Sequence, residues 1–415
     1  MTSFMLQQPL EPVAITGLGV IGACGRGFAA MDRALREGRD GVGALSLWQS
    51  SLGDLPVGQY RGDLDADLDS VPGLTPHLRK RLSRSDALAL AAAAEAVEQS
   101  GLPTLQSAGA YVGQSVCGTL TSEALYIEAR SRAKAGSAGK VDMRGAFVHE
   151  GANTLDRMAE AFGLRGPTLS FMTACSSAAN AIGLAADAIR AGRCKSMLAG
   201  GADSLSRIAF NGFCSLKVVS PDGPRPFDRE RQGMMVGEGA GMLVLESADH
   251  ARARGAKVLA WLSGYGHSCD AHHLTAPHPE GRGAIAAMRE ALDMAGLQPA
   301  HIGYINAHGT ATLENDRTEA RAISSVFGES AVPVSSTKRF FGHTLAAAGG
   351  IEAVVSVWAL RHRLLPANLG LRAPLEDAKL DLVSENRPAP GLRHVLSNSF
   401  GFGGNNAALV FTEAK

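Results

Sequence analysis

Cys175 follows the apolar run LSFMT and opens an alanine-rich stretch, where a thiol can serve as a nucleophile. The thiolate is the reactive form, and a free cysteine with a pKa of about 8.5 is only a few per cent ionised at neutral pH. A helix start favours an anion by up to about 2 kcal/mol. At about 1.36 kcal/mol per unit, that lowers the pKa by about one and a half units. On that arithmetic Cys175 would be roughly half thiolate at pH 7, and the alternative that its position leaves open is an inert buried cysteine.

Three further segments carry reactive residue types. The run IGYINAHG reads as a strand ending at His308, followed by Gly-Thr. SSTKRFFGHTLAAAGG sets Lys338 and His343 around the start of a helix. SNSFGFGGNN, Ser397–Asn406, surrounds Phe402 with glycines. Glycines permit unusual φ/ψ and close approach, so such a loop can aim amide N–H groups at a developing oxyanion. The other cysteines, at 24, 117, 194, 214 and 269, form no C-x-x-C pair, which excludes that zinc or redox motif.

These segments need a scaffold, and the 415 residues suffice for two or three average domains or one large α/β unit. Lys+Arg and Asp+Glu are 40 each, so bulk nucleic-acid binding is not expected. With no long apolar run and no basic leader, the expected location is the cytoplasm, away from any membrane. Short strands are predicted at Val13–Gly19, Ala110–Gln114, Ser196–Ala202, Gly241–Leu245, Val258–Gly264, Gly303–Ala307, Val332–Ser336, His394–Ser399 and Ala407–Phe411. Helices are predicted at Gly27–Glu37, Ser85–Gln99, Cys175–Ala191, Gly281–Ala295, Asn315–Phe327 and His343–Arg361. The alternation indicates an α/β fold. The polar stretch Ala248–Lys257 reads as a join between two halves, 1–255 and 256–415. The strand–loop–helix units at Cys175 and at Lys338–His343 parallel each other, as a duplicated fold requires.

Taken in order, TACSSA, NAHGTAT-x-x-ND-x-x-E, SSTK-x-x-x-GH-x-x-x-AAG and NSFGFGGNN resemble the β-ketoacyl-acyl carrier protein synthases, the elongating ketosynthases. The resemblance runs from VAITGLGVIGACG through AGGADS and RPFDRERQGMMVGEGAGMLVLE to the C-terminal GFGG loop. It implies a thiolase fold: two similar halves in a layered αβαβα arrangement, usually a homodimer. Cys175 would take an acyl chain from acyl carrier protein, with the N–H groups of Cys175 and Phe402 holding the oxyanion. His308 and His343 would donate hydrogen bonds to the malonyl thioester as it decarboxylates, and Lys338 would keep His343 neutral. Glu319 and Glu352 would balance and orient that lysine. Thr310 and Thr312 would line the pantetheine path, Val116 and Phe213 the acyl pocket, and Phe402 would also gate. Lys80, Arg84 and Lys217 would dock the acidic carrier protein. No cofactor is implied beyond the carrier's phosphopantetheine, and no metal. The histidine-rich GHSCDAHHLTAPHPEG, with His267, His272, His273 and His278, matches a mobile family loop at Asp270 and His273.

The sequence departs from the family pattern in three places. Phe340 and Phe341 precede Gly342-His343, and are expected to narrow the malonyl site or pack against a partner. Asn405 stands where threonine is usual, and Gly136–Asn153 matches poorly. Alternatives kept open are a catalytic subunit of a polyketide or polyene system with a chain-length partner, and a non-catalytic carrier-binding scaffold. A thiolase would differ at the second histidine. A Rossmann oxidoreductase would need a cleaner glycine motif than GLGVIGACG.

Overall fold

The computed structural model describes residues 10–136, 141–329, 331–376 and 379–414. The N-terminal half contributes β1 (Val13–Gly22), β2 (Gly109–Gly113), β3 (Thr168–Phe171), β4 (Ser196–Asp203) and β5 (Gly239–Glu246), hydrogen-bonded in the order β1-β5-β4-β2-β3. The C-terminal half contributes β6 (Ala260–Cys269), β7 (Tyr304–Asn306), β8 (Pro333–Ser335), β9 (His394–Gly401) and β10 (Asn405–Glu413), in the order β6-β10-β9-β7-β8. In each half the first strand pairs with the fifth, then come the fourth, second and third. A short edge strand, Asp381–Leu382, extends the second sheet beyond β8. The sheets meet where β1 pairs antiparallel with β6, Val13 opposite Leu262 and Ile15 opposite Ala260.

The longer helices are α1 (Phe28–Glu37), α2 (Arg84–Ser100), α3 (Thr119–Lys134), α4 (Asn153–Phe162), α5 (Ser177–Arg190), α6 (Arg207–Ser215), α7 (Arg282–Ala295), α8 (Leu313–Phe327) and α9 (Ala348–His362). Helices α5 and α9 touch both sheets and each other, forming the middle layer. Helix α2 covers the outer face of β1, β5 and β4, and α7 that of β6 and β10. This is the layered αβαβα arrangement.

Composition explains the layering. From Ala348 to Leu360 every residue of α9 is buried, as expected of a helix apolar on all sides and held between two sheets. Helix α2 starts at a capping box between Ser83 and Asp86 and stops at Gly101 in the left-handed region. It lies so close to β1 that a Cβ on Gly19 would fall 1.8 Å from the Ala92 carbonyl oxygen. No helix among the described residues is long and apolar enough to cross a membrane.

All nine predicted strands and six predicted helices occur, with shifted ends. Helix α5 begins at Ser177 rather than at Cys175, behind a 3₁₀ turn over Ala174–Ser176. Helix α9 begins at Ala348 rather than at His343, behind a 3₁₀ turn over Leu345–Ala347. Strand β3 was expected only as an unbounded short strand ahead of Cys175, and helices α3, α4 and α6 have no counterpart among the predicted ones.

Candidate active site

Cys175 sits in a strained elbow between β3 and α5. Ala174 has φ 52°, which side-chain-bearing residues seldom adopt. Hydroxyls lock the turn: Ser177 Oγ accepts from Thr173 N at 2.9 Å and donates to Ala174 O at 2.6 Å, and Ser176 Oγ donates to Thr173 O at 2.8 Å. The thiol is buried, and burial pushes it up to about 11, against the Lys338 charge and the Phe402 N–H that hydrogen-bonds it. The half-ionised cysteine expected from the helix start is thus not found. Desolvation outweighs the helix end, and the resting group is a neutral thiol.

His343 Nε2 lies 3.0 Å from Cys175 Sγ. The His343 backbone is gripped on both sides, its N–H donating to Met235 O at 2.6 Å and its carbonyl accepting from Gly237 N at 2.9 Å. His308 follows β7, and its ring meets His343 edge-on at 5.3 Å between centroids. Donor atoms of Cys175, His308 and His343 all lie within 4.8 Å of one another. Burial drives both histidines well below their usual range, and Lys338 adds to it. Both are neutral. Among the described residues neither Nδ1 has a partner, so a proton there would be an orphaned donor and Nε2–H is the favoured tautomer.

Glu352 is the partner of Lys338, the two buried charges in direct contact. Glu319 is not, which corrects the expectation of a shared role. Its carboxylate accepts from His308 N at 2.8 Å, Gly309 N at 2.7 Å and Asn398 Nδ2 at 3.2 Å. It shapes the His308 loop, and burial raises its carboxyl to about 7.

The glycine loop brings Phe402 N–H onto the Cys175 sulfur. Gly403 and Gly404 take φ 79° and 77°, which turns the chain away after Phe402. The histidine-rich loop braces it: Asp270 N donates to Gly404 O at 2.8 Å and Gly403 N to Leu274 O at 2.8 Å. Asp270 also accepts from Asn406 Nδ2 at 3.0 Å, and His273 Nδ1 accepts from Thr275 N and Ala276 N, each at 3.1 Å. Asn405 Nδ2 supports the Phe402 carbonyl at 3.3 Å.

A cavity of about 340 Å³ leads to Cys175, His308 and His343. Thr310, Thr312, Phe213, Phe402 and Lys217 line it, and the Phe213 and Phe402 rings lie 5.9 Å apart. Val116 is outside this wall, its N–H donating to Asp203 at 2.8 Å. Phe340 and Phe341 do not reach the cavity: both are buried in the core cluster around β1, β5 and α9. Lys80 is exposed. Arg84 is not a free cation but is held 2.5 Å from Glu238, whose side chain is fully buried. That pairing corrects its expected docking role.

Sequence reasoning missed several positioning residues. Asp203 accepts four backbone N–H groups, and Asp316 accepts from Phe227 N at 2.7 Å and Ala311 N at 3.0 Å. Buried Arg231 donates to the Thr312 and Leu313 carbonyls at 3.2 and 2.8 Å. Asp203 and Arg231 stand in AGGADS and RPFDRERQG, which pointed to family likeness but not to these bonds.

Family models for the β-ketoacyl synthase N-terminal and C-terminal domains match residues 10–251 and 259–372. The chain belongs to the β-ketoacyl synthase family. A 3-oxoacyl-[acyl-carrier-protein] synthase 2 from Synechocystis sp. is 36% identical over 96% of this chain and 97% of its own. A putative polyketide beta-ketoacyl synthase 1 from Streptomyces halstedii is 38% identical over 96% of this chain and 97% of its own. The solved ishigamide ketosynthase/chain length factor matches with a TM-score of 0.90 at 32% identity, over 98% of this chain and 100% of that one. The thiolase fold expected of a β-ketoacyl synthase is the one seen, and the protein is a condensing acyltransferase of this family.

Proposed function

We propose that the protein elongates acyl chains on acyl carrier protein by two carbons, with malonyl-acyl carrier protein as donor. The observation that carries this reading is the convergence of the Cys175 sulfur, two neutral histidines and the Phe402 N–H at the end of one cavity. Cys175 displaces the carrier thiol from the acyl thioester, and the thiol leaves with the cysteine proton. The Cys175 and Phe402 N–H groups hold the carbonyl oxygen, where losing one donor typically costs about 10²–10³ in rate. Malonyl thioester then enters past Thr310 and Thr312. Its carboxylate leaves as carbon dioxide, and the electron pair moves onto the thioester oxygen, held by His308 and His343 Nε2–H. The enolate carbon attacks the acyl carbonyl. Collapse expels the Cys175 thiolate, which takes a proton from solvent.

In this reading Phe402 gates the cavity against Phe213, Glu352 holds Lys338 in place, and Lys217 at the rim attracts the acidic carrier, with Lys80 further out. Residues 1–255 and 256–415 act as the cysteine half and the histidine half, with no cofactor beyond the carrier's phosphopantetheine, in the cytoplasm. Val116 is kept only as a residue of the loop behind the acyl pocket.

A second reading is a catalytic subunit that needs a chain-length partner. Two similar structures, the ishigamide and the ApeO–ApeC proteins, are ketosynthases with chain length factors. The edge strand β3 and its surroundings expose Leu169 (48%), Met172 (60%) and Phe147 (76%), an apolar face suited to a second protomer of either kind. Light scattering together with product formation from the protein alone separates the readings: a homodimer that condenses acyl and malonyl carriers supports the first. A folded protein active only with an added partner supports the second.

A further inference from the structure

The two halves place different residues at the end of their fourth strands. The last pair of β4 is Asp203 opposite Gly239, and the last pair of β9 is Gly401 opposite Asn405. A Cβ on Gly401 would lie 3.0 Å from the Cys175 backbone nitrogen. The missing side chain leaves that N–H open to an oxyanion.

In the other half the side chain is present. Asp203 Oδ2 accepts from Ala346 N at 3.0 Å. Ala346 is the second residue of the turn Leu345–Ala347, as Cys175 is of the turn Ala174–Ser176. The residues before them, Leu345 and Ala174, have φ 55° and 52°. The two elbows are therefore equivalent, one open and one filled. Asp203 Oδ2 also accepts from Ser115 Oγ at 2.6 Å. Oδ1 accepts three successive N–H groups, from Ser115 at 3.1 Å, Val116 at 2.8 Å and Cys117 at 3.2 Å.

We propose that the Ala346 turn is a second oxyanion hole permanently filled by the Asp203 carboxylate, and that Asp203 is a positioning residue holding His343 on Cys175. The inference rests on reading the Cys175 and Phe402 N–H groups as the working hole. His343 lies three residues before Ala346, with left-handed Leu345 between them. Its own backbone is anchored to Met235 and Gly237, so Ala346 is the anchor on the far side of the strained residue. One carboxylate thus ties the Ser115–Cys117 loop of the cysteine half to the histidine turn of the other.

Asp203→Asn separates the two oxygens. Its amide keeps an oxygen on the three loop N–H groups and turns an NH₂ against Ala346 N–H, because the reverse would face three donors with one. The expected result is faster hydrogen exchange over 343–348 and an altered rate of Cys175 alkylation by iodoacetamide. The kcat for malonyl-carrier decarboxylation falls on the order of 10²-fold with KM unchanged, as a displacement of about 1 Å at a reacting group can cost. Ser115→Ala, which removes only the hydroxyl, stays like wild type. If Asp203→Asn does not fold, Gly401→Ala tests the same equivalence, since its methyl crowds the Cys175 N–H and should slow acyl transfer while decarboxylation persists. A folded Asp203→Asn with wild-type exchange and alkylation overturns the inference, as does Gly401→Ala with unaltered acyl transfer. A wild-type protein without decarboxylase activity would instead overturn the reading of the working site, and the exchange and alkylation data would still decide the role of Asp203.

Discussion

The Lys338 ammonium and the Glu352 carboxylate form an ion pair sealed in the protein interior, each side chain 3% exposed. Breaking a buried pair by removing one partner typically costs about 3–5 kcal/mol, because the other charge is left unpaired. Glu352→Gln is expected to lower stability by that order in chemical denaturation. A Lys338→Met, Glu352→Leu double variant should recover most of the loss without recovering condensation. Wild-type stability in Glu352→Gln would mean that the pair holds nothing in place.

The two active-site histidines make stability depend on pH in a defined direction. Their folded pKa values are depressed, so below about pH 6.5 the unfolded chain binds protons that the folded chain refuses. Stability is full above that pH and falls as pH drops. A His308→Gln, His343→Gln variant should show a flatter loss between about pH 6.5 and 5. Glu319, raised to about 7, acts with the opposite sign, favouring the fold at low pH and losing that contribution as pH rises through 7. It is present in both proteins, so the difference between their curves isolates the histidines. Parallel curves would contradict the assignment.

Phe402 contributes its N–H to the cysteine and its ring to the wall facing Phe213. Phe402→Ala keeps the N–H and removes the ring, so acyl transfer to Cys175 should slow more than malonyl decarboxylation, measured separately by acyl-enzyme formation and carbon dioxide release. Equal losses would count against a gate.

These residues differ in how far the sequence exposed them. Cys175, His308, Lys338, His343 and Phe402 were legible because reactive types stand at strand ends and helix starts, in motifs whose order resembles one family. The strands were legible where apolar runs are bounded by glycine, as at β1 and β9. Strand β3 is four residues behind a Gly-Pro pair, and α3 mixes polar and apolar residues without a clear buried face. Neither gives a periodic signal. The Cys175 ionisation was left open between a helix-end thiolate and a buried thiol, because a local rule sees the helix end and not the burial. Glu319 and Arg84 were misassigned for a related reason: a charge's partner is set by tertiary packing, here the His308 loop and Glu238.

Charge reversal at the rim distinguishes docking from structure. Lys217→Glu should raise KM for carrier-bound substrates, more at low salt than at high, with kcat nearly unchanged. Lys80→Glu should act in the same direction if the docking face extends that far. Arg84→Glu should instead destabilise the fold by about 3–5 kcal/mol, since it leaves buried Glu238 facing a like charge. A KM effect from Arg84→Glu at wild-type stability would contradict its structural role.

Mass spectrometry of the enzyme during turnover decides whether Cys175 carries the chain which the malonyl unit extends. With an acyl-carrier protein alone, one acyl adduct is expected, on the peptide holding Cys175. Adding malonyl-carrier protein should discharge it as a β-ketoacyl thioester two carbons longer, and Cys175→Ala should form neither. A folded wild-type protein that takes no acyl group on Cys175, or whose adduct survives malonyl-carrier protein unchanged, would rule Cys175 out as the carrier of the extended chain.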